Sequence, residues 1–157
     1  MRIIIRDHQF GTMKYWLDMF IVDCEERVRA KTLAQRTLDD YSKDIEPLKI
    51  YFKAPMLPTD IEPRHVQEYL AIGATENRPA RANREKAALS SCISWLIRTA
   101  RLKGWSSVNP CMRASGTKRN TETKRERYVS YAEYREVFAL APLQLQAMIE
   151  LIYRTLL

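Results

Sequence analysis

Residues 80–102 read ARANREKAALSSCISWLIRTARL, and this stretch decides the fold class. Apolar residues recur in it at the three- and four-residue spacing of an α-helix. The core-facing stripe comprises Ala88, Leu89, Cys92, Ile93, Leu96 and Ala100. The opposite stripe comprises Arg84, Ala87, Ser91, Ser94, Arg98 and Arg101. We therefore predict a helix over residues 80–102 that is buried on one side and presents a basic surface of small residues on the other.

The same helical spacing extends towards the amino terminus. Thr12 is predicted to cap a first helix, Thr32 with Gln35 to form the capping box of a second, and Pro63 to begin a third. Pro47 is expected to kink the second helix or end its regular part. The inward residues are predicted to be Met13, Trp16, Leu17, Phe20, Ile21, Cys24 and Val28, then Leu38, Tyr41, Ile45, Leu48 and Phe52, then Val66, Tyr69 and Leu70. Residues 73–79 are expected to connect the third and fourth helices, and Gly104 to terminate the fourth. Strand signals are almost absent, so residues 12–112 are predicted to form an all-α bundle of four to five helices, preceded by an arm at 1–11.

The carboxyl-terminal third changes character. Residues 113–127 have no apolar period and are rich in Lys, Arg, Thr and Ser, which predicts a basic interdomain linker. Ser130 with Glu133 is a second capping box, and Pro142 restarts a last helix. In that helix the residues predicted to face inward are Ala147, Met148, Leu151, Ile152 and Leu156. The helix reaches the apolar end of the chain without a stop signal, a pattern typical of a helix that has been cut.

Composition excludes several classes of protein. The chain has 157 residues, of which 46% are hydrophobic, enough for one ordinary domain or two small ones. No apolar run approaches the roughly 18 residues of a membrane span, and the amino terminus turns polar too soon for a signal peptide, so we expect a cytoplasmic protein. Cys24, Cys92 and Cys111 form no C-x-x-C pair and are predicted to be buried free thiols. With only His8 and His65 available, we expect no metal and no cofactor, and we interpret His65 as structural or solvated.

The positive charge is concentrated in one third of the chain. The net charge is +7, but residues 78–127 hold thirteen Lys and Arg against three Glu, a net of +10, and the remainder carries −3. A solvated surface usually mixes the two signs, whereas a surface that binds a polyanion does not. The distribution therefore favours nucleic-acid binding. A solvent-exposed face that is merely basic stays open as the alternative.

Six short stretches carry a family resemblance. They are Met13-Lys-Tyr-Trp-Leu17, Thr32-Leu-x-x-Arg36 with Tyr41 and Asp44, Ala82-Asn-Arg-Glu-Lys86 with Leu89, Ser94-Trp-Leu-Ile97, Asn109-Pro-Cys111, and Arg125-Glu-Arg-Tyr-Val129 with Glu133-Tyr134. By their order and spacing across residues 12–157, the chain resembles the tyrosine recombinases of the phage-integrase type. The resemblance implies a SAM-like core-binding bundle at 12–112, a basic linker at 113–127, and the truncated helical start of a catalytic domain at 128–157.

The resemblance also implies where the chemistry lies. Enzymes of this family use a nucleophilic tyrosine and several cations around one scissile phosphate. Their first arginine follows a Thr-Gly-x motif, which Thr155-Leu156-Leu157 resembles with a leucine in place of the glycine. The arginine would be the next residue, so we expect no catalytic residue in this chain. Four clustered tyrosines are accordingly interpreted as packing or surface residues: Tyr128, Tyr131, Tyr134 and Tyr153.

In this family the second and fourth helices of the core-binding domain face the major groove of duplex DNA. The residues that we accordingly predict to bind DNA are Lys31 and Arg36 from the second helix, Arg81, Asn83, Arg84, Lys86 and Arg98 from the fourth, and Arg119, Lys124, Arg125 and Arg127 from the linker. The predicted function is the DNA-binding part of an integrase that acts in site-specific recombination when its full catalytic domain is present. Its partner would be a double-stranded attachment or recombination site, with possible self-association on DNA. The alternative is a non-enzymatic DNA-binding or helix-packing module, a truncated integrase remnant.

Overall fold

The computed structural model describes residues 10–53, 55–101, 108–122 and 129–155. The helices are α1 (Met13–Arg29), α2 (Gln35–Tyr51), α3 (Pro63–Thr75), α4 (Pro79–Arg98), α5 (Tyr131–Leu140) and α6 (Leu143–Thr155), with short 3-10 turns at Pro58–Asp60 and Arg113–Ser115. The described residues contain no strand, and the all-α prediction is confirmed. They fall into two compact units that divide between Glu122 and Thr123.

The core of the first unit lies between α1, α2 and α4, and α3 packs on α4. Thr12 caps α1 as predicted, because its hydroxyl accepts a hydrogen bond from the Tyr15 amide at 3.4 Å. The apolar stripe of α1 is buried except at its last member, Val28, which is half-buried. Trp95 of α4 packs at its centre, with ring centroids 6.3 Å from Trp16 and 5.7 Å from Phe20. Helical spacing thus identified the buried stripe of α1, but it missed Trp95, which is 2% exposed and was not among the residues predicted to face inward.

The start of α2 differs from the prediction. Ala34 occupies the N-cap position, and the capping box of Thr32 and Gln35 does not form. The Thr32 hydroxyl instead donates to the Arg27 carbonyl at 3.1 Å, while the Gln35 amide reaches forward to Asp39. Pro47 does not end the helix, which continues to Tyr51.

The junction of α3 and α4 is tighter than predicted. Gly73 belongs to α3, where an added Cβ would collide with the Cβ of Ala82 in α4. Glycine is therefore needed for this close helix packing. At the other end α4 stops at Arg98, and Ala100 is exposed with a left-handed φ of 49°, so it is not a core residue. The other five members of the core stripe are buried, and Gly104 lies outside the described residues.

Residues 113–122 are mostly exposed, as predicted for a linker, but they are anchored to the first unit. Thr117 is buried, and its hydroxyl donates to the Pro110 carbonyl at 2.7 Å. Asn120 donates through its side chain to the Leu70 carbonyl at 2.7 Å, which ties the segment to α3. The first ten residues of the predicted linker therefore belong to the helical bundle.

The second unit is described by α5 and α6. Ser130 and Glu133 form the predicted capping box, with the Ser130 amide donating to the Glu133 carboxylate at 2.9 Å. No described residue of this unit is buried. The α6 residues predicted to face inward, Ala147, Met148, Leu151 and Ile152, are exposed, and Leu156 lies outside the described residues. None of the described helices has the length and apolar character that a membrane crossing requires.

Candidate nucleic-acid interface

A groove of about 580 Å³ lies between α2 and α4. Its lining residues are Arg36, Thr37, Asp40, Tyr41, Lys43 and Asp44 from α2 and Arg81, Arg84, Ala87, Ala88 and Ser91 from α4. Alanine and serine on the α4 side keep the floor open between the longer basic side chains. The Tyr41 hydroxyl donates to Ser91 Oγ at 3.3 Å and joins the two helices across the groove.

A second depression of about 280 Å³ adjoins the first. Phe20, Arg27, Tyr41, Ser90, Ser91, Ser94 and Arg98 line it. Tyr41 and Ser91 line both spaces, so the two form one continuous surface, which we call the basic groove. Arg27 of α1 was not among the predicted residues. Arg29 lies two residues later in the same helix, and nothing in the local sequence indicates that Arg27 and not Arg29 reaches this surface.

The basic groove holds five cations without an ion-pair partner among the described residues: Lys43 and the four arginines Arg27, Arg36, Arg84 and Arg98. None of these four guanidinium groups makes an ion pair or a hydrogen bond with the residues that the structure describes. Arg36, Arg84 and Arg98 are exposed, and Arg27 is half-buried. Three helices thus bring unpaired positive charge to one surface with a floor of small residues. Such a surface suits a polyanion whose backbone must approach closely.

Arg81 lines the groove but is already engaged. Its Nε donates to Glu85 Oε1 at 3.0 Å, and Glu85 is completely buried. The other Glu85 oxygen accepts from the Tyr69 hydroxyl and from Arg78 Nη1, each at 2.6 Å. Burial, followed by the Glu85 carboxylate, raises the pKa of Tyr69, so this phenol stays a donor. We call these four residues the Glu85 network.

Asn83 does not lie in the basic groove, contrary to the prediction. It is 4% exposed, and its amide donates to the Asn120 carbonyl at 3.0 Å and to Glu122 Oε1 at 2.8 Å. The side-chain carbonyl of Asn83 (Oδ1) accepts a hydrogen bond from the backbone amide of Asn120 at 2.9 Å. The side chain therefore holds residues 120–122 against α4 and is not free to contact a base.

Lys86 is also absent from the basic groove. It follows Arg84 by two residues, about 200° around the helix, which directs it to the other side of α4. Lys86 is 8% exposed, and burial lowers the pKa of its ammonium group. Lys86 is therefore a buried residue near Cys111 and Arg119 and does not line the groove, and its role in DNA binding stays a prediction.

The remaining predicted residues are divided between described and undescribed parts of the chain. Lys31 is exposed just after α1 with a left-handed φ of 58°, and Arg119 is exposed on the anchored segment. Neither lines the basic groove. Lys124, Arg125 and Arg127 lie outside the described residues.

The thiols and His65 do not form a reactive centre. All three cysteines are buried and unpaired, as predicted, and burial raises the pKa of Cys24 to about 11 and that of Cys111 to about 12. Such thiols are not activated nucleophiles. His65 Nδ1 accepts from the Glu62 amide at 3.1 Å at the start of α3, which confirms a structural role. Among the described residues no group of His, Cys, Asp and Glu is arranged to hold a metal ion.

No protein-family model matches this chain, and neither the curated proteins nor the solved structures include a significant match.

Proposed function

We propose that the basic groove binds duplex DNA. The observation that carries this proposal is the convergence of four unpaired arginines, from α1, α2 and α4, on a surface with a floor of alanine and serine. Duplex DNA presents regularly spaced phosphates, and neutralising them releases counterions, which is a large source of binding free energy. A small-residue floor lets the duplex come close enough for the arginines to reach its backbone.

The resemblance of the six sequence stretches supports a more specific proposal. The four-helix bundle would be the SAM-like core-binding domain of a phage-type tyrosine recombinase, with α2 and α4 on the DNA. In this proposal the chain recognises an attachment or recombination site and positions it. Strand cleavage and rejoining would then belong to the full catalytic domain.

Fluorescence anisotropy with a labelled duplex of about 25 base pairs, at increasing salt, tests the proposal. We expect affinity to fall steeply, each phosphate contact contributing about −0.9 to the slope of log K against log salt. The double variant Arg84→Ala/Arg98→Ala should weaken binding by about tenfold or more and make the slope less steep by about 1 to 2.

A matched control removes two arginines elsewhere. Arg29 and Arg64 are exposed, and each already pairs with a glutamate, Glu25 at 3.7 Å and Glu62 at 2.8 Å. The variant Arg29→Ala/Arg64→Ala loses the same net charge and should bind almost as wild type. Equal losses in the two double variants would mean that only net charge matters. Absence of binding at low salt would contradict the proposed function altogether.

A further inference from the structure

Two carboxylates lie in the basic groove, where a surface that only held phosphates would have none. Asp40 and Asp44 are one turn apart on α2, and both line the larger part of the groove with Arg36 and Arg84. The smaller part, between Arg27 and Arg98, has serines and arginines but no carboxylate among its lining residues. A carboxylate beside a phosphate costs binding energy through like-charge repulsion. The two parts of the groove are therefore suited to different chemical groups.

Asp44 is the more buried of these two carboxylates. It is half-buried, whereas Asp40 is exposed, and it makes no hydrogen bond and no ion pair with any described residue. Glu85, a buried carboxylate nearby, receives three hydrogen bonds from its neighbours. Partial burial, followed by the charge of Glu85, raises the pKa of Asp44, while Arg81 and Arg84 oppose that rise. A half-buried acceptor in a groove with no protein donor is suited to a donor that arrives with the ligand.

We infer that Asp44 reads a base of the bound DNA by accepting a hydrogen bond from an exocyclic amino group, with cytosine preferred. The inference rests on the proposed function, because it needs a duplex in the groove. In the major groove cytosine offers its N4 amino group as a donor, and carboxylates accept from it. Adenine also offers an amino group, but its neighbouring N7 is an acceptor that repels a carboxylate. The groove would then read sequence beside Asp44 and hold phosphates beside Arg27 and Arg98.

The test is selection from a duplex library with a randomised centre, by wild type, Asp44→Ala and Asp44→Asn. We expect the wild type to enrich a motif with cytosine at one fixed position. Asp44→Ala should lose the preference at that position alone, and Asp44→Asn should lose it or change it towards adenine, to which an amide can donate and accept. Glu26→Gln is the matched control, because it removes one negative charge at an exposed position of α1 that does not line the groove, and its motif should stay that of the wild type.

Direct binding then measures the contact. Replacing the selected C·G pair with T·A should weaken wild-type binding by about fivefold to a hundredfold, the range for one mismatched pair. The same replacement should weaken the binding of the Asp44→Ala variant by less than twofold.

Three results would overturn the inference while the proposed function stands. One is salt-dependent wild-type binding with no enriched motif. Another is an Asp44→Ala variant that binds every sequence more tightly with the motif unchanged, which would make Asp44 only repulsive. The third is loss of the whole motif in both Asp44 variants, which would make Asp44 a positioning residue. Failure of every protein to bind at low salt would remove the proposed function as well.

Discussion

The arginines at the start of α4 and those further along it are used in opposite ways. Arg78, at the N-cap, and Arg81, in the first turn, both pair with the buried Glu85 carboxylate, although Arg81 itself is exposed and lines the groove. Arg84 and Arg98, further along the helix, have no partner among the described residues. The residue type is the same, and the difference is the carboxylate. A count of basic residues therefore overestimates an interface, and the cations that the fold leaves unpaired define it better.

The largest effect is expected from Glu85→Ala. The substitution leaves Arg78 and the Tyr69 hydroxyl without their buried acceptor, and breaking such a pair costs about 3–5 kcal/mol of unfolding free energy. Urea denaturation followed by circular dichroism measures the loss. Glu85→Gln is the control of similar shape, which keeps an acceptor for Tyr69 and should lose less. A Glu85→Ala protein as stable as wild type would show that these arginines are not part of the fold, and the contrast between the paired and the unpaired arginines would fail.

A smaller loss is expected from Asn83→Ala. Three hydrogen bonds between Asn83 and residues 120–122 disappear, and the groups left behind cost about 1–3 kcal/mol. The released segment should also become a protease site, with faster tryptic cleavage after Lys118 and Arg119. Limited proteolysis with mass spectrometry compares the rates. Cleavage at Lys118 that is as fast in the wild type as in Asn83→Ala would contradict the anchoring of this segment.

Sequence reasoning succeeded where the determinant is local. The apolar spacing of α1 and α4 needs only neighbouring residues, and the positions that it predicted to be inward are buried, except Val28, which is half-buried, and Ala100, which is exposed. It missed Trp95, which is buried at the centre of the core. It failed for Asn83 because the partners of that side chain are 37 and 39 residues away. Arg27 was missed for the same reason, since only the packing of α1 beside α4 brings it to the groove.

The start of α2 shows a second reason why a sequence-based prediction fails, which is competition between hydrogen-bond partners. Thr32 has the side chain of a capping residue, but its hydroxyl donates to the carbonyl of Arg27 in the last turn of α1. The four-helix bundle was therefore predictable from spacing. The exact helix ends and the composition of the groove depended on which donors and acceptors met in the tertiary fold.

Lys86→Met should stabilise the protein slightly. Burial lowers the pKa of Lys86 below its ordinary 10.5, so folding disfavours its charged form. The cost is fully present below the folded-state pKa, and it fades as the pH rises towards the unfolded value. We expect Lys86→Met to gain about 1 kcal/mol or less at pH 7, with a smaller gain near pH 10. Thermal denaturation at the two pH values measures this gain, and DNA affinity should not change. A clear loss of affinity would return Lys86 to the interface.

The smallest effect on stability is expected from the double variant Arg84→Ala/Arg98→Ala, although these two arginines should matter most for DNA binding. Arg84 and Arg98 are exposed and unpaired, so replacing both with alanine removes no hydrogen bond, and alanine is the best helix former. Only the packing of their aliphatic stems is lost, which keeps the expected change within about 0.5 kcal/mol for each residue. Arg78→Ala, measured beside it, removes a partner of the buried Glu85 and should lower the melting temperature more. If the groove variant melted as early as Arg78→Ala, the unpaired arginines would be structural as well as the paired ones. A groove variant with wild-type stability and weakened DNA binding would separate the two uses of arginine on a single helix.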